Sequence, residues 1–364
     1  WDPLLTIDTL EKHGIVYAPL EDGRFAALPA ERVRAIVGSM IEFFNKKGKL
    51  GIGPDVSLPQ LMDLSKSFFV LGSNDLWVFG EEMQRLTDQI KAFEKIQIVE
   101  PPRDFKATLR PYQIEGLCWL NFLREFKLGG ILADDMGLGK TVQTLAHILL
   151  EKQENRLNKP YLIVCPTSVL PNWLGEIAKF TPSLVVTPLY GSDRQQYFFR
   201  IPSSDIVITT YPLVKRDLDS LQNQQWKAII LDEAQFIKNA NTMVAKAVTA
   251  LKADFRVCLT GTPVENNLGE IWSQFNFLMP GFLGDRQHFR DTYRTPIEKR
   301  GDESVQKKLA ERIRPFLLRR KKETVAKDLP SKTTIVKKFE ISGAQRDLYE
   351  TMRVAMYYKV KEAL

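Results

Sequence analysis

Six short apolar runs, separated by helix-length amphipathic stretches, constrain this chain more than any other feature. They are Gly130–Ala133, Tyr161–Cys165, Leu184–Val186, Asp205–Thr209, Ala228–Leu231 and Arg256–Leu259. A strand with one wet face alternates polar and apolar residues, whereas a run that is apolar throughout needs cover on both faces. Strands of that kind, with a helix between each and the next, make a parallel sheet with helices on both sides. The predicted fold is therefore α/β, a doubly wound parallel sheet carried by residues 101–285. Ligands of such sheets lie beyond the carboxyl ends of the strands, so the residues that follow each run are where chemistry is to be sought.

The rest of the chain reads differently. Its 364 residues, 44% hydrophobic and 26% charged, suffice for more than one core and exclude a disordered or low-complexity scaffold. Residues 1–100 suggest a small α+β accessory domain. A strand is expected over Ile15–Leu20, a turn at Glu21–Arg24, and helices over Pro29–Lys46, Leu58–Leu64 and Gly80–Phe93. Glu100-Pro101-Pro102 then reads as a linker, because Pro-Pro cannot continue a helix. No catalytic constellation stands in this region, which favours a packing or docking role. Residues 286–364 read as a basic helical extension and connector. The window 286–338 holds 17 Lys and Arg against 7 Asp and Glu, so a chain of net charge +7 is net negative everywhere else.

Cys118, Cys165 and Cys258 are far apart and none has CxxC spacing. That argues against a disulfide framework or a zinc ribbon, and for a reducing compartment. A cytoplasmic location is expected, nucleoid-associated in a bacterium or nuclear in a eukaryote. No apolar run approaches the roughly 18 residues of a membrane span, so no membrane partner is expected. The sequence starts at Trp1 and stops inside a helical pattern, and it reads as a piece of something longer.

Two strand ends carry chemistry. After the first run comes Asp134-Asp135-Met136-Gly137-Leu138-Gly139-Lys140-Thr141, followed by a helical stretch. Glycines let the backbone curl so that its N–H groups face a phosphate at the helix N-terminus. Lys140 would reach the β and γ phosphates of ATP, and Thr141 would offer its hydroxyl to Mg²⁺. The general template wants glycine at position 134, where this chain has Asp134. The fifth run ends in Asp232-Glu233-Ala234-Gln235. Adjacent acids at the end of a buried strand are costly unless a cation or a reaction needs them. Asp232 is assigned to Mg²⁺ and Glu233 to the water that attacks the γ-phosphate.

The order of these motifs resembles the superfamily-two helicases, and within them the Swi/Snf (Snf-two) family of DNA-translocating ATPases. Leu109-Arg110-Pro111-Tyr112-Gln113, with Gly116 and Trp119-Leu120, resembles the family's adenine-recognition segment, which implies ATP contacts for Arg110 and base reading for Gln113. Ile131–Thr141 resembles the family's phosphate loop, which tolerates the missing glycine and implies nucleotide contacts from Asp135, Met136, Gly137, Leu138 and Gly139. Cys165-Pro166-Thr167-Ser168 with Asn172-Trp173, and Thr209-Thr210-Tyr211 with Asp217, resemble the two DNA-contacting motifs. They imply that Pro166, Thr167, Ser168, Thr210 and Tyr211 face DNA. For Trp173 itself, packing of its helix onto the sheet is the favoured role.

Asp232-Glu233-Ala234-Gln235 resembles the DExx box in its Gln form, and Leu259–Asn267 the motif that couples ATP state to DNA grip. Gln235, Thr260, Gly261 and Thr262 are the coupling residues so implied. Phe316-Leu317-Leu318-Arg319-Arg320 with Leu329-Pro330 resembles the crossing at the end of a first RecA-like lobe, and Arg319–Lys322 by itself reads as a solvated basic face. The partners implied are double-stranded DNA and a second RecA-like lobe of a longer chain, which would bring arginine fingers. Without that lobe, weak ATP binding and slow hydrolysis are expected, since an arginine supplied in trans contributes about 10³–10⁵ in phosphoryl transfer. Two other readings stand beside this one: an RNA helicase of the DExH kind, and a nucleotide-gated module that docks on RNA polymerase or another DNA-bound protein.

Overall fold

The computed structural model describes residues 11–12, 15–19, 25–29, 98–263, 267–325, 337–338 and 340–363. The chain divides into two compact units, 1–325 and 326–364. The turn at 21–24, the three N-terminal helices, Val264-Glu265-Asn266 and Leu329-Pro330 lie outside the described residues. Near the N-terminus, β1 (Glu11–Lys12), β2 (Ile15–Pro19) and β3 (Phe25–Pro29) form an antiparallel sheet. β2 falls on the strand expected there.

The main sheet has seven strands, and every pairing in it is parallel. In chain order they are β4 (Gly130–Leu132), β5 (Tyr161–Cys165), β6 (Val186–Pro188), β7 (Ile206–Thr210), β8 (Trp226–Asp232), β9 (Ala253–Leu259) and β10 (Leu317–Leu318). Six of these coincide with or overlap the apolar runs. β5 shows why such runs must be buried on both sides: all five of its residues are at 0% exposure. β6 begins two residues later than expected because Leu184 is held in the turn that leaves the preceding helix, its N–H bonded to the Thr181 carbonyl. The exposed Pro188 closes that edge strand, where a missing N–H costs no ladder bond.

The helices form two layers. α1 (Pro111–Glu125), α2 (Lys140–Gln153) and α3 (Leu170–Phe180) pack side by side. α4 (Tyr211–Arg216), α6 (Met243–Ala250) and α7 (Leu268–Leu278) form the second group, with α5 (Leu218–Gln222) following α4. A further helical run comprises α8 (Arg286–Phe289), a π-helical turn over Arg290–Arg294, and α9 (Thr295–Arg300). It reverses at Gly301, whose φ of +66° stops α9, into α10 (Glu303–Ile313), capped by the Asp302 carboxylate on the N–H groups of Ser304 and Val305. α11 (Lys322–Val325) follows β10. In the second unit, α12 (Ala344–Ala363) carries Met352, Met356 and Val360 exposed on one face.

The strand order is β10-β4-β9-β8-β5-β7-β6. The chain crosses from β4 to β5 and only later fills the gap with β8 and β9. That insertion brings three sequence-distant strand ends, those of β4, β9 and β8, side by side on one carboxyl edge. Residues 286–325, assigned from sequence to an extension, belong to the same compact unit as the sheet and contribute its edge strand β10. A two-residue strand is too short to show periodicity, which is why it was not expected. No helix among the described residues is long and apolar enough to cross a membrane. The three cysteines are free and buried.

At the far end of α2, the fully buried Glu151 is held by Arg156 at 2.7 Å and Arg124 at 3.3 Å. One turn earlier His147 is buried, its Nε2 3.2 Å from the Tyr161 hydroxyl. Burial, with smaller contributions from Arg124, Arg156 and Lys227, pushes the imidazole down to about 3. His147 is therefore neutral in the fold, whereas in the unfolded chain it takes a proton near pH 6.5. The unfolded state binds more protons between these values, so the stability is complete above about pH 6.5 and falls as pH drops toward 3, by about 1.4 kcal/mol per unit. Urea unfolding at pH 7 and pH 5 should show a loss about 2 kcal/mol larger in the wild type than in His147→Phe.

Candidate nucleotide site at the sheet's carboxyl edge

The loop between β4 and α2 is built on two left-handed glycines, Gly137 at φ +85° and Gly139 at φ +78°. Gly139 is required twice over, since a Cβ there would lie 2.6 Å from the Gln113 side-chain nitrogen. That nitrogen donates to the Leu138 carbonyl at 3.2 Å, and the Gln113 Oε1 accepts the Arg110 N–H at 2.9 Å. Gln113 thus ties the start of α1 to the loop, and the exposed Arg110 stands at the N-cap position, its backbone carbonyl accepting the Gln113 and Ile114 N–H groups. Met136 is exposed, Leu138 is buried, and Thr141 is half-buried in the first turn of α2.

Asp134, the residue standing in place of the template glycine, is fully buried. Its Oδ1 accepts the side-chain Nε of Arg320 at 2.9 Å and the Arg320 backbone N–H at 3.1 Å. Its Oδ2 accepts Arg320 Nη2 at 2.5 Å and Gln143 Nε2 at 3.1 Å. The same guanidinium donates to the Tyr112 carbonyl and the Gln143 side-chain oxygen and lies over the Tyr112 ring. Backbone bonds extend the β10–β4 pairing past the sheet, Ala133 N–H to Leu318 O and Asp135 N–H to Arg320 O, and the Lys322 N–H donates to the Asp135 carboxylate. Trp119 adds a bond from its indole N–H to the Pro315 carbonyl.

Arg320 is the residue that sequence reasoning missed. The Arg319–Lys322 stretch read as a solvated basic face, and Arg319, Lys321 and Lys322 are indeed exposed, but Arg320 is only 9% exposed. A usable signal existed in Asp134, because an acid that replaces a loop glycine behind a buried strand calls for a buried cation.

Lys140 donates to the Asp134 carbonyl at 2.7 Å. Burial lowers its pKa, against opposing contributions from Glu233, Asp134, Asp232 and Asp135. The end of β8 supplies the facing acids. Asp232 is 8% exposed, its Oδ1 accepting the Glu233 N–H at 3.0 Å. Burial raises its pKa, with Trp173 as the principal opposing influence. Glu233 adopts φ +51°, a left-handed conformation unusual for a side-chain-bearing residue and characteristic of functional turns. From Glu233 a chain of bonds runs to the end of β9. Gln235 Nε2 donates to Glu233 Oε2 at 2.9 Å, Thr260 Oγ1 to Gln235 Oε1 at 3.2 Å, and Thr262 N–H to Thr260 Oγ1 at 3.1 Å. Gly261 lies so close to Met136 that a Cβ there would approach the Met136 Cγ to 3.3 Å. The proposed coupling residues therefore touch both the phosphate loop and the acid pair.

The residues assigned to DNA divide. Pro166 is half-buried and Thr167 and Ser168 are exposed at the end of β5. Thr210 and Tyr211 are each 1% exposed, and the Tyr211 hydroxyl is bonded to the Asp232 carbonyl at 2.7 Å. Their side chains do not offer the surface contacts expected of them, because the turn from β7 into α4 packs inward. Trp173 packs α3 onto the sheet as favoured and is fully buried. Asp217 is engaged by the Arg194 guanidinium at 2.6 and 2.9 Å.

An SNF2-related domain matches residues 112–363. YwqA of Bacillus subtilis (strain 168), named for an ATP-dependent helicase or translocase, is 43% identical over 278 residues, which are 75% of this chain and 30% of YwqA. The TATA-binding protein-associated factor BTAF1 of Arabidopsis thaliana is 40% identical over 268 residues, 68% of this chain and 13% of that protein. The chain thus spans less than a third of either relative. Among solved structures, the Sulfolobus solfataricus SWI2/SNF2 ATPase core in complex with dsDNA matches with a TM-score of 0.60 and 44% identity, over 64% of this chain and 49% of that one.

Removing Arg320 would strand a buried carboxylate. Arg320→Met is expected to cost about 3–5 kcal/mol in urea unfolding. The double variant Asp134→Asn, Arg320→Met should lose clearly less than the sum of the two single changes.

Proposed function

This chain belongs to the SNF2-related family, and on that premise we propose that it is the nucleotide-binding lobe of an ATP-driven translocase acting on double-stranded DNA. The observation that carries the reading is the convergence on one carboxyl edge of the phosphate loop, the Asp232–Glu233 pair and the bond chain from Glu233 to Thr262. The reaction is transfer of the ATP γ-phosphoryl group to water. Backbone N–H groups of the loop and the Lys140 ammonium would take the phosphate charge, and Glu233 would accept the proton of the attacking water.

Mg²⁺ fits the donor set as a nucleotide-borne ion. Among the described residues no cluster of three or more His, Cys, Asp or Glu could cage a metal. Asp232 and Thr141 are the protein oxygens that would complete a shell otherwise made of phosphate and water oxygens, the usual arrangement for this ion. When bound, it neutralises charge developing on the phosphates. A second lobe would supply the arginine that completes the site.

Duplex DNA is favoured over RNA as the track because the archaeal core that resembles this chain is in complex with dsDNA. Exposed Thr167 and Ser168 are the side chains available at that edge for sequence-independent phosphate contacts. In the full-length protein, ATP hydrolysis should rise with duplex DNA and not with duplex RNA. Lys140→Ala should abolish translocation; a protein that keeps its cellular activity after this change is a docking module, not a motor. Glu233→Gln should retain nucleotide binding while turnover falls about 10²–10⁴-fold. The 364-residue chain alone should hydrolyse ATP about 10³-fold or more below the full-length enzyme, as measured by phosphate release.

A further inference from the structure

Two aromatic side chains outside the phosphate loop converge on Asp232. Trp173, in the first turn of α3, donates its indole N–H to Asp232 Oδ2 at 2.8 Å. Tyr211, the first residue of α4, donates its hydroxyl to the Asp232 carbonyl at 2.7 Å, and its ring stacks on Phe236 at a centroid distance of 4.9 Å. A buried indole N–H needs an acceptor, and a backbone carbonyl would serve for packing alone. Here the acceptor is the carboxylate assigned to the metal. With Oδ1 held by the Glu233 N–H and Oδ2 by Trp173, the carboxylate cannot rotate, and each oxygen keeps a second lone pair. Tyr211 grips the peptide joining Asp232 to Glu233, where the backbone enters the left-handed region.

The origin of the two donors gives the arrangement its meaning. α3 follows the Pro166–Ser168 strand end, where the proposed function places the nucleic acid, and α4 follows Thr210 at the end of the neighbouring strand β7, whose side chains are buried. We propose that Trp173 and Tyr211 are positioning residues that orient Asp232 for the metal–nucleotide complex and tie its orientation to these two segments. This inference rests on the function proposed above. Hydrogen bonds to metal-binding carboxylates from outside the ligand set typically govern metal affinity by about 10–100-fold.

The test uses Trp173→Phe and Tyr211→Phe in the full-length protein, each of which removes a donor and keeps a ring. Binding of a fluorescent ADP analogue is titrated with Mg²⁺, with and without duplex DNA, so that no turnover is needed. Each variant should raise the Mg²⁺ concentration for half-maximal binding, Trp173→Phe by about tenfold or more, while metal-free ADP affinity stays at the wild-type value. Duplex DNA should shift the Mg²⁺ requirement of the wild type and leave that of the double variant unmoved. A Mg²⁺ requirement within about twofold of wild type in both single variants would overturn the positioning role. If DNA-stimulated hydrolysis persists alongside that result, the proposed function stands without it. Absence of ADP binding by the wild type would remove both. Should Trp173→Phe not fold, Tyr211→Phe still decides the outcome.

Discussion

The buried carboxylate of Asp134 is the point on which the nucleotide edge depends. In a dry interior an unpaired carboxylate is untenable, and its partner Arg320 lies 186 residues further along the chain. Meeting that demand draws β10 against β4, extends their ladder along the start of the phosphate loop, and brings Tyr112 and Gln143 onto the same guanidinium. Gln113, next to Tyr112, holds the other side of the loop through the Leu138 carbonyl. The loop is thus gripped from behind by an ion pair and from the side by an amide, leaving its front free to meet phosphate. The missing template glycine is a substitution of one device for another.

Around the lysine of the loop, charge is concentrated in the acidic sense. Glu233, Asp134, Asp232 and Asp135 all act on the ammonium of Lys140, against burial, which lowers its pKa. Burial in turn raises Asp232. That arrangement suits the proposed function, whose ligand would bring phosphate oxygens for the lysine and a divalent cation for the acids. The chain of bonds from Glu233 through Gln235 to Thr260 and Thr262 joins the same pocket to the end of β9.

Much of this was legible from local sequence. Apolar runs located six of the seven main-sheet strands, with β6 offset because Leu184 belongs to the preceding turn. The phosphate loop and the acid pair announced themselves by residue type at strand ends. What stayed hidden was whatever depends on a distant partner. Arg320 looks like its exposed neighbours in sequence, and β10 is too short to carry a period. Tyr211 reads as a surface residue of a DNA motif until the inward turn into α4 spends its hydroxyl on Asp232.

The sequence by itself determined that this chain builds a parallel sheet covered on both faces, and that the candidate site residues stand at the ends of β4 and β8. Both follow from local properties: continuous apolar burial, glycine in left-handed backbone, and acids where no apolar residue would strand them. Only the tertiary structure decided that β8 and β9 insert between β4 and β5. That order places Lys140 among acids 92 and 93 residues away and chooses Arg320 among four consecutive basic residues for burial. Those outcomes rest on which strands pair and which single guanidinium reaches a buried carboxylate. They are set by non-local geometry that no window of sequence contains.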